Sequence, residues 1–171
     1  MPWPPRPESW ITVENSGHMK QINCLTRENS HGGAGKSPPT VLVVDDEPLT
    51  CWSMAEVLGE GGYGVIVAGD AASAIDAIAA ADQAPDVIFL DLRLPDSTDL
   101  AALSVIRRRA PRAAVVLMTA HGSPELFREA RRRGAAAVMD KPFEMGDVGP
   151  LVKDLLAARG PDGSQRATSL Y

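Results

Sequence analysis

Apolar positions along this chain follow two periods that alternate. "TVLVVDD" (Thr40–Asp46) is a continuous run of β-branched and aliphatic residues, the pattern of a strand covered on both faces. Cys51, Met54, Ala55 and Leu58 then recur at helical spacing, and Gly59 with the Gly61-Gly62 pair closes that stripe. "YGVIVAGD" predicts a second strand and "AASAIDAIAAA" a helix built from the best helix former. "PDVIFLD" is a third buried strand ending on Asp91, and "TDLAALSVIRRRA" is helical with Leu100, Leu103 and Ile106 on one side. "AAVVLMTA" is a fourth strand. Ser123 as N-cap, Pro124 at the first helical position and Glu125 in the first turn open the next helix, which Gly134 ends. "AAAVMD" gives a fifth, weaker strand, and Val148, Leu151, Val152, Leu155 and Leu156 mark one face of the last helix.

Five strands alternating with five helices need crossover connections, and these build an open parallel sheet. The expected fold is α/β: a three-layer, doubly wound, five-stranded parallel sheet of flavodoxin-like kind, with strand order 2-1-3-4-5. Residues 1–38 mix Pro, Gly, Ser, Asn and His with neither period and read as a flexible N-terminal extension, in which Trp3, Trp10 and Ile11 are the groups able to dock. Met19 is a possible alternative start. Residues 160–171 read as a flexible C-terminal tail. The globular part is 39–159.

Composition narrows the function classes. Of 171 residues, 44% are hydrophobic and 23% charged, as in a globular protein, and the net charge of −5 opposes general nucleic-acid binding. Cys24 and Cys51 are too few for a disulfide framework and read as free thiols. "MPWPPRPESW" lacks the apolar core of a secretory signal, and no run approaches the ~20 apolar residues of a membrane span. A cytoplasmic protein with no membrane contact is expected.

Two stretches suggest phosphate chemistry. "GGAGKS" (32–37) resembles the end of a nucleotide-binding loop, but no strand precedes it, Pro38-Pro39 forbids the helix that must follow, and Ser30 stands where the first glycine is needed. It reads as linker. The strand ends are more informative. In the expected strand order, Asp45, Asp46 and Asp91 finish the first and third strands, which flank the switch point where such sheets bind ligands. Three converging carboxylates call for a cation, and hard oxygen donors in a partly hydrated pocket suit Mg²⁺. Thr119 brings a hydroxyl from the fourth strand and Lys141 an ammonium from just beyond the fifth. A single acid at a strand end is ordinarily a cap or a solvated loop residue; four strand ends with matched chemistry suit phosphoryl transfer to a carboxylate.

Together "VLVVDDEP", "VIFLDLRLPD", "VVLMTAHG" and "AAAVMDKPF" resemble the receiver domains of two-component response regulators, most of all those of nitrogen-regulation type activators. The resemblance covers residues 40 to 159. It implies that Asp91 is the phosphoacceptor, that Asp46 and Asp91 bind Mg²⁺ directly, that Asp45 acts through water, and that the backbone carbonyl of Arg93 is a further ligand. It also implies that Lys141 pairs with the phosphoryl group, that Thr119 is a switch residue hydrogen-bonding it, and that Lys141-Pro142 is a cis bond. Two positions depart from the family. Val138 stands at the switch position usually held by Tyr or Phe, and Asp99 replaces a common glycine.

The resulting expectation is a switch phosphorylated by a sensor histidine kinase or a histidine phosphotransfer protein, with an output face at about residues 123–158 that binds a partner or a second copy. It is not an enzyme beyond its own Mg²⁺-dependent phosphorylation and dephosphorylation. Two alternatives remain: a pseudo-receiver that binds without being phosphorylated, and an aspartyl-phosphate phosphohydrolase. The second would need an acid where Arg93 stands. The runs Arg107–Arg109 and Arg131–Arg133 end helices and complement the macrodipole. His121 reads as a solvated loop residue, with a role in phosphate lifetime as the sharper possibility.

Overall fold

The computed structural model describes residues 10–13, 21–24, 37–97 and 100–159. Trp3, Met19 and the 160–171 tail lie outside the described residues. In chain order the elements are β1 (Trp10–Val13), β2 (Gln21–Cys24), β3 (Thr40–Val44), α1 (Pro48–Glu60), β4 (Gly64–Ala68), α2 (Ala71–Ala80), β5 (Val87–Asp91), α3 (Ala101–Arg109), β6 (Ala114–Thr119), α4 (Pro124–Arg132), β7 (Ala137–Asp140) and α5 (Met145–Ala158). All strands share one sheet in the order β1-β2-β4-β3-β5-β6-β7. Counted from Thr40, the five parallel strands run 2-1-3-4-5, as the alternation of periods predicts.

Within residues 1–38, which read from the sequence as a flexible extension without strand periodicity, Trp10–Val13 and Gln21–Cys24 pair antiparallel with each other, and β2 pairs antiparallel with β4. Ile11, Thr12 and Val13 supply the β-branched residues a strand favours. Two strands of four residues are too short for a period of two to stand out from the polar residues around them. Their pairing satisfies the backbone of β4, which would otherwise be an open edge.

The parallel strands are buried on both faces because helices cover both. Leu42, Val44, Ile88, Leu90, Val115 and Leu117 point into one core, filled from α2, α3 and α4 by Ala74, Leu103 and Ala130 among others. Val41, Val43, Phe89, Val116 and Met118 point into the other, against Met54 and Leu58 of α1 and Val148 and Val152 of α5. This two-sided burial turns what would be an alternating pattern into continuous apolar runs. At the pole opposite the strand ends, Arg159 donates to Asp86 Oδ1 at 2.8 Å and to its carbonyl at 3.0 Å. Asp86 Oδ2 accepts from the Thr40 N–H at 3.0 Å, so α5 is tied to the start of β3.

Helix ends follow local chemistry. Ser123 caps α4 by accepting from the Leu126 N–H at 3.1 Å. Gly134 sits at φ 91°, the left-handed conformation that glycine adopts without penalty after a helix. Two arginines at the end of α4 are engaged along the helix: Glu129 accepts from Arg132 and from Arg133, whose hydrogen bonds hold its carboxyl below the usual range. Among the described residues, no helix is long and apolar enough to cross a membrane.

Leu103 is fully buried between α3 and the sheet, whereas Leu49 is 66% exposed. Leu103→Ala is expected to lower unfolding free energy by about 3 kcal/mol through lost transfer energy and a residual cavity, and Leu49→Ala by less than about 0.5 kcal/mol. Urea denaturation of the two variants checks the contrast.

Candidate functional site

The carboxyl ends of β3 and β5 lie side by side, because Val44 pairs with Leu90 in parallel register. That register carries Asp45, Asp46 and Asp91 to one place. One ligand oxygen from each lies within 4.8 Å of the others. Asp45 is fully buried, Asp46 is exposed, and the Asp91 side chain is 11% exposed. Lys141, one residue past β7, sends its Nζ between two of them. It donates to Asp45 Oδ2 and to Asp91 Oδ2, each at 2.6 Å. The Lys141-Pro142 bond is cis, as expected.

Backbone groups fix the carboxylates. Asp45 Oδ1 accepts from the Glu47 N–H at 2.9 Å, and Asp91 Oδ1 from the Arg93 N–H at 3.0 Å. The Arg93 carbonyl follows in the same loop. Thr119, 2% exposed, ends β6, and its Oγ1 accepts from the His121 N–H at 3.1 Å. The Lys141 N–H donates to the Thr119 carbonyl at 2.7 Å, which couples the two strand ends. Asp45, Asp46, Asp91, Thr119 and Lys141 therefore sit on the rim where the sequence puts them. Val138 pairs with Leu117 and packs, half-buried, on the core beneath that rim. Asp99 lies outside the described residues.

Charge is unbalanced here. Burial pushes the Asp45 carboxyl up, and the Asp91 charge adds to this, against the lowering pull of Lys141 and the Glu47 amide. Burial alone would depress Lys141, but hydrogen bonds and charge from both aspartates more than reverse it, so its ammonium is held above the ordinary lysine value. One lysine gains from two acids while each acid shares one lysine. With all three carboxylates ionised against one ammonium, the cluster is two charges negative. An all-oxygen donor set of that charge suits a hard divalent cation.

Sequence reasoning missed one contact. The Arg93 guanidinium donates to His121 Nδ1 at 2.8 Å across the mouth of the site. Each residue stands two positions beyond a strand end, on adjacent strands in which Asp91 pairs with Met118. That equal offset is the signal that could have paired them.

Comparison with known proteins agrees with this geometry. The family model described as "Response regulator receiver domain" matches residues 41–153. The probable transcriptional regulatory protein TcrX of Mycobacterium tuberculosis is 37% identical over 127 residues, covering 74% of this chain and 53% of that protein. The nitrogen assimilation regulatory protein NtrX of Azorhizobium caulinodans is 39% identical over 105 residues, covering 60% of this chain and 23% of its own length. The chain thus spans about half of the first relative and about a quarter of the second. Among solved structures, the receiver domain of NtrX from Brucella abortus superposes with a TM-score of 0.62 at 36% identity, over 68% of this chain and 98% of that one.

Beneath the rim, Cys51 is 5% exposed and its thiol donates to the Asp45 carbonyl at 3.2 Å. Burial, with the Asp45 charge beside it, pushes this thiol up to about 12. In a Cys24→Ser background at pH 8, only about 1 in 10⁴ molecules would carry the reactive thiolate. Maleimide is expected to label Cys51 after denaturation and not in the folded protein; mass spectrometry on both states reads the difference.

Proposed function

This chain belongs to the response regulator receiver domain family of two-component systems, and from that premise we propose that it is a phosphorylation switch whose acceptor is Asp91. The observation that carries the reading is the Lys141 ammonium held at 2.6 Å from both Asp45 and Asp91 at the strand ends. A cation so placed neutralises charge on the oxygens of a phosphoryl group arriving at Asp91. The donor is a phosphohistidine of a sensor histidine kinase or a histidine phosphotransfer protein. An Asp91 carboxylate oxygen forms the new P–O bond as the P–N bond breaks, and the electron pair stays on the donor imidazole. The chain catalyses its own modification and hydrolysis and is not otherwise an enzyme.

The donor set fits Mg²⁺, which Asp45, Asp46, Asp91 and the Arg93 carbonyl would hold, Asp45 through water. When bound it supplies two positive charges beside the phosphoryl oxygens. The protein's own groups do the rest. Lys141 remains charged through the neutral range and binds the phosphoryl oxygens as a point charge. Thr119 Oγ1, which accepts from the His121 amide at 3.1 Å, keeps its own hydroxyl proton to donate to the new group. Its movement toward Asp91 pulls on the loop before α4 and shifts the population of surface states over residues 123–158. That face binds the output partner or a second copy. Val138 is too small to swing as a ring, so the shift travels through the β6–α4 loop and the Thr119–Lys141 backbone bond. The switch works in the cytoplasm, without direct contact to nucleic acid.

Wild-type protein incubated with acetyl phosphate and Mg²⁺ is expected to gain a hydroxylamine-sensitive phosphoryl group, and Asp91→Asn to gain none. Label retained by the variant would move the acceptor elsewhere; no label on wild type would leave an unphosphorylated binding module. Separately, Mg²⁺ at ten times its Kd should raise unfolding free energy by about 1.4 kcal/mol. Asp46→Ala should abolish that gain in urea denaturation.

A further inference from the structure

The segment that leaves Asp91 is held at both ends. At its start the Leu92 N–H donates to the Met118 carbonyl at 2.9 Å. At its far end Leu94 and Ser97 exchange backbone hydrogen bonds of 3.1 and 3.3 Å, which turn the chain tightly around Pro95 and Asp96. Leu94 is buried in the core. Asp96 then reaches another element. Its Oδ1 accepts from the Ala71 N–H and its Oδ2 from the Ala72 N–H, each at 2.9 Å.

Those amides open α2, a helix that already has a cap of its own. Asp70 Oδ1 accepts from the Ser73 N–H at 2.6 Å, and Ser73 Oγ accepts from the Asp70 N–H at 3.3 Å. Asp96 takes two further orphan donors, and its charge complements the positive end of the helix. Because Ala71, Ala74, Ala77 and Ile78 bury α2 against the sheet, the helix is a fixed post. Between the two anchors sits Arg93. Its N–H donates to Asp91 Oδ1 at 3.0 Å, and its guanidinium reaches His121 at 2.8 Å.

We propose that Asp96 is a positioning residue for the site: it lashes the loop after β5 to α2 and so keeps the Arg93 peptide against Asp91. The inference rests on Asp91 being the phosphoacceptor, as proposed above. Asp96 acts through Arg93. A residue that merely capped α2 would have the same effect as Asp70, whose hydrogen bonds run to Ser73 and Ala74 of that helix. This difference separates the two roles.

The test compares the wild-type chain with Asp96→Ala, Asp96→Asn and Asp70→Ala in two measurements. The first is beryllofluoride uptake as a function of Mg²⁺ concentration. Asp96→Ala should raise the half-saturating Mg²⁺ roughly fivefold, the equilibrium equivalent of losing one cap-type contact. Asp96→Asn, which keeps one acceptor oxygen, should fall between, and Asp70→Ala should match wild type. The second is the ¹H–¹⁵N resonance of the Arg93 amide without metal. It should move upfield in both Asp96 variants and stay in place in Asp70→Ala. Equal effects of Asp70→Ala and Asp96→Ala, or an unmoved Arg93 resonance, would overturn the proposal. Failure of wild type to take up beryllofluoride would instead sink the phosphoacceptor reading, while the amide comparison still decides the role of Asp96.

Discussion

One ammonium group between two carboxylates organises this molecule. Lys141 lies 96 positions from Asp45 and 50 from Asp91, yet bonds both at 2.6 Å. No local preference brings these residues together; the sheet does. β3 must pair with β5, β5 with β6 and β6 with β7, each in parallel register, before the four strand ends meet on one rim. The two apolar cores hold that register, since a slip of one residue would turn each strand's side chains to the opposite face. A fully buried Asp45 is tolerated because the Glu47 amide and Lys141 both serve it.

The same arrangement explains why the polar cluster stands on the rim and not in the cores. The interiors of β3, β5 and β6 are spent on packing, so along these strands the acidic and hydroxyl groups of the cluster stand where the strands stop. Three carboxylates meet a single ammonium there, which leaves the cluster short of positive charge. An acidic oxygen cluster of that kind is compatible with a hard cation.

Most of this is legible in the sequence. Continuous β-branched runs could be read as two-sided strands because helices with clear stripes stood between them, and the strand order then brought Asp45, Asp46, Asp91, Thr119 and Lys141 together. What stayed hidden depends on distance. β2 finds its partner β4 about forty residues downstream, and neither strand of the hairpin is long enough to show its period. Asp96 bonds backbone amides 25 and 24 residues away, and amides carry no side-chain code to read. His121 reads as a solvated loop residue when its own neighbours are considered; its meeting with Arg93 shows only in the matched offset of the two residues beyond adjacent strands.

The hairpin at the start of the described chain alters how the sheet meets other molecules. With β2 laid along β4, the lateral rims of the sheet among the described residues are β1 and β7. Each is four residues long. Among the described residues, a strand offered by another chain finds these two short templates, and short rims nucleate intermolecular β-pairing poorly. On that side the edge among the described residues is the four-residue β1 in place of the five-residue β4.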